Sequence, residues 1–401
     1  MIASRLHKTT EDTSGSLGAP DRLSIVLRTV KSEADIATML RTYSSAVVNR
    51  NSGKVRGDMI STPASLEDTE SALVKPNRPD VGFVACIEGG VLERQALLLF
   101  ESIRLYGGRF RECAIYALSP RAGHGISQDA RCKLDKLGVY YIDAILNMEC
   151  LEYGPANRVA AAAYIERMYP HEVLVILDSD TLFLREPNEI LLRPNVDVAL
   201  RPVGLKGMCT SGPPDPFDTY WRDLCRCCGV DYDQIPWTQS FADRCRIKAS
   251  YNAGLVIARG KLGIMQRWAD FFFSSVRQHL EPHPQGRRFR SGAGWVESGA
   301  SRLWGSNQAA LSLAIWSKTR QVKELEPTYN YQLIVHEQIN QELRDRIFPN
   351  LVHVHYHWLL EDESSKNPLF DSFGPLSFDQ RVWLSSATSI DLGNSEGQRT
   401  L

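Results

Sequence analysis

The chain has 401 residues, of which 43% are hydrophobic, and a formal charge of −1. That is the profile of an ordinary globular protein, large enough for one big domain or two small ones. The near balance of charge gives no global electrostatic reason to expect a nucleic-acid or membrane-surface partner. No run approaches the ~18–20 apolar residues of a membrane span. The opening MIASRLHKTTEDTSGS lacks the apolar core of a signal peptide. The expectation is a cytoplasmic protein, and nine scattered cysteines, an odd number, fit reduced thiols better than a disulfide framework.

Residues 1–20, rich in Ser, Thr and Gly, read as disordered. Leu23–Leu27 reads as a short strand. Ser32–Val48 reads as a helix, with Ile36, Met39, Leu40 and Tyr43 at helical spacing. Residues 51–79 look like a polar linker, so 1–79 is taken as an N-terminal extension without readable chemistry. The catalytic candidate spans 80–385, and 386–401 reads as a loose tail.

From Val81 onward strands and helices alternate. VGFVACIEGG reads as a buried strand closed by a Gly pair. A helix follows with Ala96, Leu99, Phe100 and Ile103 on one face, stopped at Gly107-Gly108. Then come a strand at Cys113–Leu118, a helix at Ser127–Leu137, a strand at Val139–Ile142, and a helix at Asn157–Met168 before Pro170. Such alternation predicts an α/β fold with a doubly wound, mostly parallel sheet and a Rossmann-like nucleotide-binding half. The first strand of such a sheet commonly meets nucleotide at its C-terminal end. Ala85, Cys86, Ile87 and Glu88 are therefore candidates for base and ribose contacts. Neither G-x-G-x-x-G nor a P-loop is present.

The central strand, VLVILDSDTLF from Val173 to Phe183, runs five apolar residues straight into Asp178-Ser179-Asp180. Carboxylates at the carboxyl end of a buried strand stand where open α/β sheets bind ligands. They suit a hard cation, Mg²⁺ or Mn²⁺, that shares its remaining positions with phosphate oxygens. Beyond this point the alternation is lost. Val196–Leu200 is a strand, and residues 202–249 form a long segment without a readable pattern. In it, Cys225, Cys227 and Cys228 depart from common zinc spacings and read as free thiols. Tyr251-Asn252-Ala253-Gly254 leads into a strand at Leu255–Ala258, and Leu262–His279 is a helix. Residues 281–306 read as a long loop, either a lid that brings Arg287, Arg288 and Arg290 to phosphates or a solvated basic loop. Asn307-Gln308 opens a helix that runs through Trp316. Last, LVHVHYHW at Leu351–Trp358 alternates so that His353, His355 and His357 share a strand face and are metal-ligand candidates.

Taken in order, these motifs resemble the glycosyltransferases of the GT-A fold. Within them the chain is most similar to the retaining, glycogenin-like and lipopolysaccharide-galactosyltransferase-like group, over roughly residues 81–358. The resemblance implies that Asp178 and Asp180 are the D-x-D that holds Mn²⁺ or Mg²⁺ against the donor diphosphate, with Ser179 beside them. It implies that Arg158 contacts the donor and that Asn252, in the Tyr-Asn-Ala-Gly segment, lies near the sugar. Gln308 would sit at the anomeric carbon, and His355 would be the third metal ligand. The family's phosphate-binding lysine has its nearest counterpart in Lys366, outside the usual Lys-Pro-Trp setting. Asn307 stands where the family has Asp. The implied reaction moves a hexose from a nucleotide-diphosphate sugar, a UDP-sugar, to a hydroxyl acceptor (glycan, small molecule or lipid) with retention. If configuration is inverted instead, Glu297 and Asp243 are the general-base candidates. Two rival enzyme classes stay in view, beside a non-catalytic carbohydrate- or protein-binding module on a transferase scaffold. One is a nucleotidyltransferase acting on sugar phosphates. The other is a metallohydrolase built on the row of His353, His355 and His357.

Overall fold

The computed structural model describes residues 79–361, 367–370 and 374–388. The strand expected at Leu23–Leu27, the helix expected at Ser32–Val48, Lys366 and the last residues of the expected tail lie outside this range.

The first strand, β1, is Val81–Cys86. Helix α1 (Val91–Tyr106), β2 (Ala114–Ser119), α2 (Gln128–Lys136) and β3 (Tyr140–Asp143) follow. Next are α3 (Pro155–Met168), β4 (Val173–Leu177), β5 (Thr181–Phe183) and β6 (Val198–Pro202). The second half holds α4 (Asp218–Cys228), β7 (Trp237–Gln239), β8 (Arg246–Lys248), β9 (Tyr251–Arg259) and α5 (Ile264–Arg277). It continues with β10 (Phe289–Ser291), β11 (Gly294–Val296), α6 (Ser298–Ser301), α7 (Ser306–Lys318) and β12 (Val322–Glu324). The last elements are β13 (Tyr331–Gln332), α8 (Gln341–Ile347), β14 (His353–His355) and α9 (Phe378–Thr388).

Seven strands form the main sheet in the order β12-β6-β9-β4-β1-β2-β3. All neighbours pair parallel except β9, which runs antiparallel between β4 and β6. The expected mostly parallel, doubly wound sheet is therefore the one that forms. Its five inner strands, β6, β9, β4, β1 and β2, are apolar on both faces, and period 2 divides them between two cores. In β4, Leu174 and Ile176 pack into one core with α3, α5 and α7, whereas Val173, Val175 and Leu177 pack into a second core with α1 and α2. Burial on both faces is what the unbroken apolar runs require.

Several local differences have plain causes. Helix α3 starts at Pro155, two residues before the expected Asn157, because proline suits a first helical turn that needs no N–H. Residues 202–249 contain α4 and the β7–β8 hairpin, and 281–306 contain the β10–β11 hairpin and a short helix, so neither is a bare loop. Strand β9 begins at Tyr251 rather than Leu255. The histidine-bearing strand covers only His353–His355, and His357 takes a left-handed φ of 58° beyond it. Helix α9 runs past residue 385 to Thr388. Among the described residues no helix is long and apolar enough to cross a membrane.

Candidate active site

A cavity of about 210 Å³ opens at the carboxyl ends of β1 and β4. Its floor is the turn Asp178-Ser179-Asp180 between β4 and β5. The turn is pinned from both sides. The Ser179 hydroxyl donates to the Cys86 carbonyl at 2.7 Å, and the Asp178 N–H donates to the Gly254 carbonyl at 3.1 Å. Ser179 thus contributes backbone to the cavity while its side chain ties β4 to β1.

The third candidate ligand arrives by strand pairing. Strand β14 lies antiparallel to β5 with His355 opposite Thr181, and the Tyr356 N–H donates to the Asp180 carbonyl at 3.1 Å. This register sets His355 Nε2 3.2 Å from Asp180 Oδ1 and 3.8 Å from Asp178 Oδ2. One ligand atom from each of Asp178, Asp180 and His355 falls within 4.8 Å of the others. Two glycines make room. A Cβ on Gly254 would stand 2.6 Å from His355 Nδ1, and one on Gly292 would stand 2.1 Å from Asp180 Oδ2. Burial pushes the Asp180 carboxyl upward, but the charge and hydrogen bond of His355 outweigh it. The group ends well below the usual carboxylate range, so it is an anion at neutral pH.

The histidine row does not act together. His353 packs on Phe183, with ring centroids 4.6 Å apart, and is fully buried with both nitrogens unpartnered among the described residues. Burial drives its imidazole well below the ordinary value, so it is neutral core. His357 stacks on His355 at 3.9 Å and lines the cavity, and burial with the nearby His355 lowers its imidazole to about 3. The hydrolase reading needs His353 and His355 together on one open face, and that face does not exist.

Around this floor stand the other expected residues. Arg158, buried in the first turn of α3, ion-pairs with Asp178 Oδ1. Glu88 lines the cavity and is gripped by Arg121, while Asn157 donates to its Oε1 at 3.1 Å. Cys86 lines it too, its thiol pushed up to about 12 by burial and by Glu88. Ala85 and Ile87 do not reach the cavity. Period 2 turns both into the core, and the Ile87 carbonyl already accepts from Ser119 at 2.6 Å. Asn252 lines the cavity, but its Oδ1 is taken by the Gly254 N–H (2.8 Å) and Asn330 Nδ2 (2.9 Å). Gln308 lines it with a buried Oε1 that has no partner among the described residues. Asn307 is anchored by the Tyr153 hydroxyl at 2.7 Å.

The β10–β11 hairpin closes one side. Gln95 on α1 donates to the Gly292 carbonyl at 2.9 Å, which draws the hairpin over Asp180. Of its arginines only Arg290 lines the cavity, with its guanidinium 4.6 Å from the Trp358 ring; Arg287 and Arg288 lie over Phe289 and Trp295. Glu297 and Asp243 are not among the lining residues. Nor are Cys225, Cys227, Cys228 and Cys245, which are free thiols elsewhere. Gln95, Tyr153 and Gly292 were missed in the sequence, whereas His357, a candidate there, does line the cavity. The one signal for the hairpin was Gly292-Ala293-Gly294, small residues between Phe289 and Trp295, where backbone approaches closely.

Residues 83–288 match the family described as Rhodobacterales glycosyltransferase domain. No curated protein matches the sequence. Among solved structures the chain is similar to the apo WbbM bifunctional glycosyltransferase, at 12% identity and a TM-score of 0.43, over 92% of this chain and 60% of that one. It is also similar to the glycosyltransferase GlyE of Streptococcus pneumoniae TIGR4, at 15% identity and a TM-score of 0.40, over 78% of this chain and 62% of that one. A third is the galactosyltransferase LgtC in complex with donor and acceptor sugar analogues, at 10% identity and a TM-score of 0.42, over 79% of this chain and 98% of that one. The match thus spans 60% and 62% of the first two proteins' lengths.

Proposed function

Because this chain belongs to the family of Rhodobacterales glycosyltransferase domains, we propose that it is a metal-dependent hexosyltransferase that takes a UDP-sugar as donor and retains configuration. The observation that carries this reading is the convergence of Asp178, Asp180 and His355 at the carboxyl end of the central strand. Two carboxylates and one imidazole form a donor set that fits Mn²⁺ or Mg²⁺, and Gly254 and Gly292 leave space for them to face one point. A cation held by these three residues supplies positive charge beside a departing diphosphate, a Lewis-acid role.

The chain's own residues do the rest. Arg158 brings a fixed positive charge to the same turn through Asp178. The N-terminal ends of α3 and α7, at Gly154-Pro155 and Gly305, also border the cavity and favour an anion there. Gln308 offers an unpaired carbonyl oxygen to the positive charge that develops on the glycosyl carbon. Asn252 orders Gly254 and Asn330 instead, a positioning role.

Retention is favoured by the carboxylates present. Among the described residues those lining the cavity are Glu88, Asp178 and Asp180, each already paired, with Arg121, Arg158 and His355 respectively. None stands free as a general base on a second face. The acceptor hydroxyl then attacks from the leaving-group side and its proton passes to a diphosphate oxygen. The acceptor is a hydroxyl-bearing glycan, small molecule or lipid. The test is metal-dependent binding and slow hydrolysis of a panel of nucleotide sugars. One UDP-sugar is expected to bind only with the cation and to be lost in Asp180→Ala. A folded protein that binds no nucleotide sugar with any divalent cation contradicts the reading.

A further inference from the structure

A second cavity of about 610 Å³ lies apart from the lining just described. Strands β6 and β4 both run antiparallel to β9, and β12 runs parallel to β6. The carboxyl ends of β6 and β12 therefore lie along the same sheet edge as Asp178, the edge where such sheets bind ligands. Arg201 and Glu324, from those two ends, both line this second cavity. Arg201 is the register partner of Asn252, which lines the first.

Arg201 is only 7% exposed. Its Nη1 donates to the Leu325 carbonyl at 3.0 Å, and its guanidinium lies 4.4 Å from the Phe241 ring centroid. Among the described residues no carboxylate ion-pairs with it. Burial lowers it to about 10, with Glu324 and Glu326 opposing, so it keeps its charge at neutral pH. A buried guanidinium with no carboxylate in ion-pair contact among the described residues, facing a cavity, is costly unless an anion completes it. Two further arginines, Arg244 and Arg346, line the same cavity, exposed and without ion-pair partners among the described residues. Against these three cations the lining holds one carboxylate, Glu324, whose Oε1 accepts from the Thr238 hydroxyl. The volume suits a sugar-sized ligand, Phe241 supplies an apolar wall, and arginines bind planar or tetrahedral oxyanions bidentately.

The geometry points to an acceptor subsite here for a glycan unit that carries an oxyanion, a carboxylate or a phosphate, held by Arg201, Arg244 and Arg346. This deepens the transferase reading and rests on it, since it names the acceptor's chemical class.

The test separates the two. D-glucuronate, D-glucose 6-phosphate and D-glucose are titrated into the full chain by calorimetry with no nucleotide sugar present. At least one acid is expected to bind while glucose does not, and which acid binds identifies the oxyanion. Removing Arg201 would disturb buried packing, so the exposed pair carries the test. Arg244→Gln/Arg346→Gln is expected to melt with the wild type and to weaken the acid by about tenfold or more, the loss of charge-assisted contacts. Equal binding of glucose, no binding of either acid, or a double variant that binds unchanged overturns the subsite. In transfer assays an acid-terminated acceptor is expected to show a lower KM than its neutral counterpart, and equal KM values overturn the acceptor assignment. Failure of wild-type donor hydrolysis would instead overturn the transferase reading, and leaves the calorimetric result standing on its own.

Discussion

The stretch from Val81 to Phe183 and the stretch from Val203 to Ser306 are held together by different physics. In the first, β1, β2 and β4 are apolar on both faces, and their order is fixed by period 2 and parallel register. In the second, polar side chains set the path. Asp218 accepts from Thr210, Arg222 and Tyr232, Asp215 accepts from Ser211 and the Phe217 N–H, and Asp243 accepts from the Lys206 N–H and Ser240. The first stretch supplies the acidic turn. The second supplies the hairpin over it and one side of the second cavity's wall, with Phe241 and Arg244. A regular half thus places charge, and an irregular half shapes what meets it.

The largest effect should come from the regular half. Asp180→Ala removes a candidate ligand from the turn, and losing several kcal/mol of charge stabilisation corresponds to about a thousandfold or more in donor turnover. Steady-state hydrolysis of the donor reads this directly.

The next prediction contrasts two histidines on one strand. His355→Phe should weaken Mn²⁺ by about tenfold or more, as loss of a ligand or its support does. His353→Phe should leave Mn²⁺ affinity unchanged and stability within about 1 kcal/mol, because it replaces an unpartnered buried imidazole with an apolar ring. Metal titration and thermal melting check both.

Gly292→Ala probes the irregular half. Its methyl would meet Asp180 at 2.1 Å, so the hairpin must lift. About a tenfold fall in donor kcat/KM is expected with the fold intact, since small misplacements near a site carry costs of this order. The smallest effect belongs to Tyr153→Phe. It strips the hydroxyl that donates to Asn307 and accepts from the Gly305 N–H, for about 1–2 kcal/mol of stability on denaturant unfolding.

The same division explains what could be read in advance. The succession of strands and helices up to β4 and the acidic turn were legible because unbroken apolar runs ending in Asp178 and Asp180 have few other solutions. Asn252 and Gln308 were legible as cavity residues. What Asn252 does was not, since its Oδ1 is engaged by Asn330, far away in the chain. His353 and His355 look alike at period 2. Only the pairing of β14 with β5 decides that one meets Asp180 and the other meets Phe183. Ala85 and Ile87 were misplaced for the converse reason, since alternation along β1 and its continuation sends them to the core while Cys86 and Glu88 face the cavity. The hairpin at Gly292 and the grip of Arg121 on Glu88 depend on contacts across long sequence separations, which no local pattern carries.

The central claim is that Asp178, Asp180 and His355 together hold one divalent cation. Pulsed electron paramagnetic resonance of Mn²⁺ on the full chain tests it most directly, because a bound imidazole imprints its nitrogen on the manganese signal. The account predicts bound Mn²⁺ with a nitrogen coupling that disappears in His355→Phe and persists in His353→Phe. A coupling that survives His355→Phe, or vanishes in His353→Phe, would contradict it.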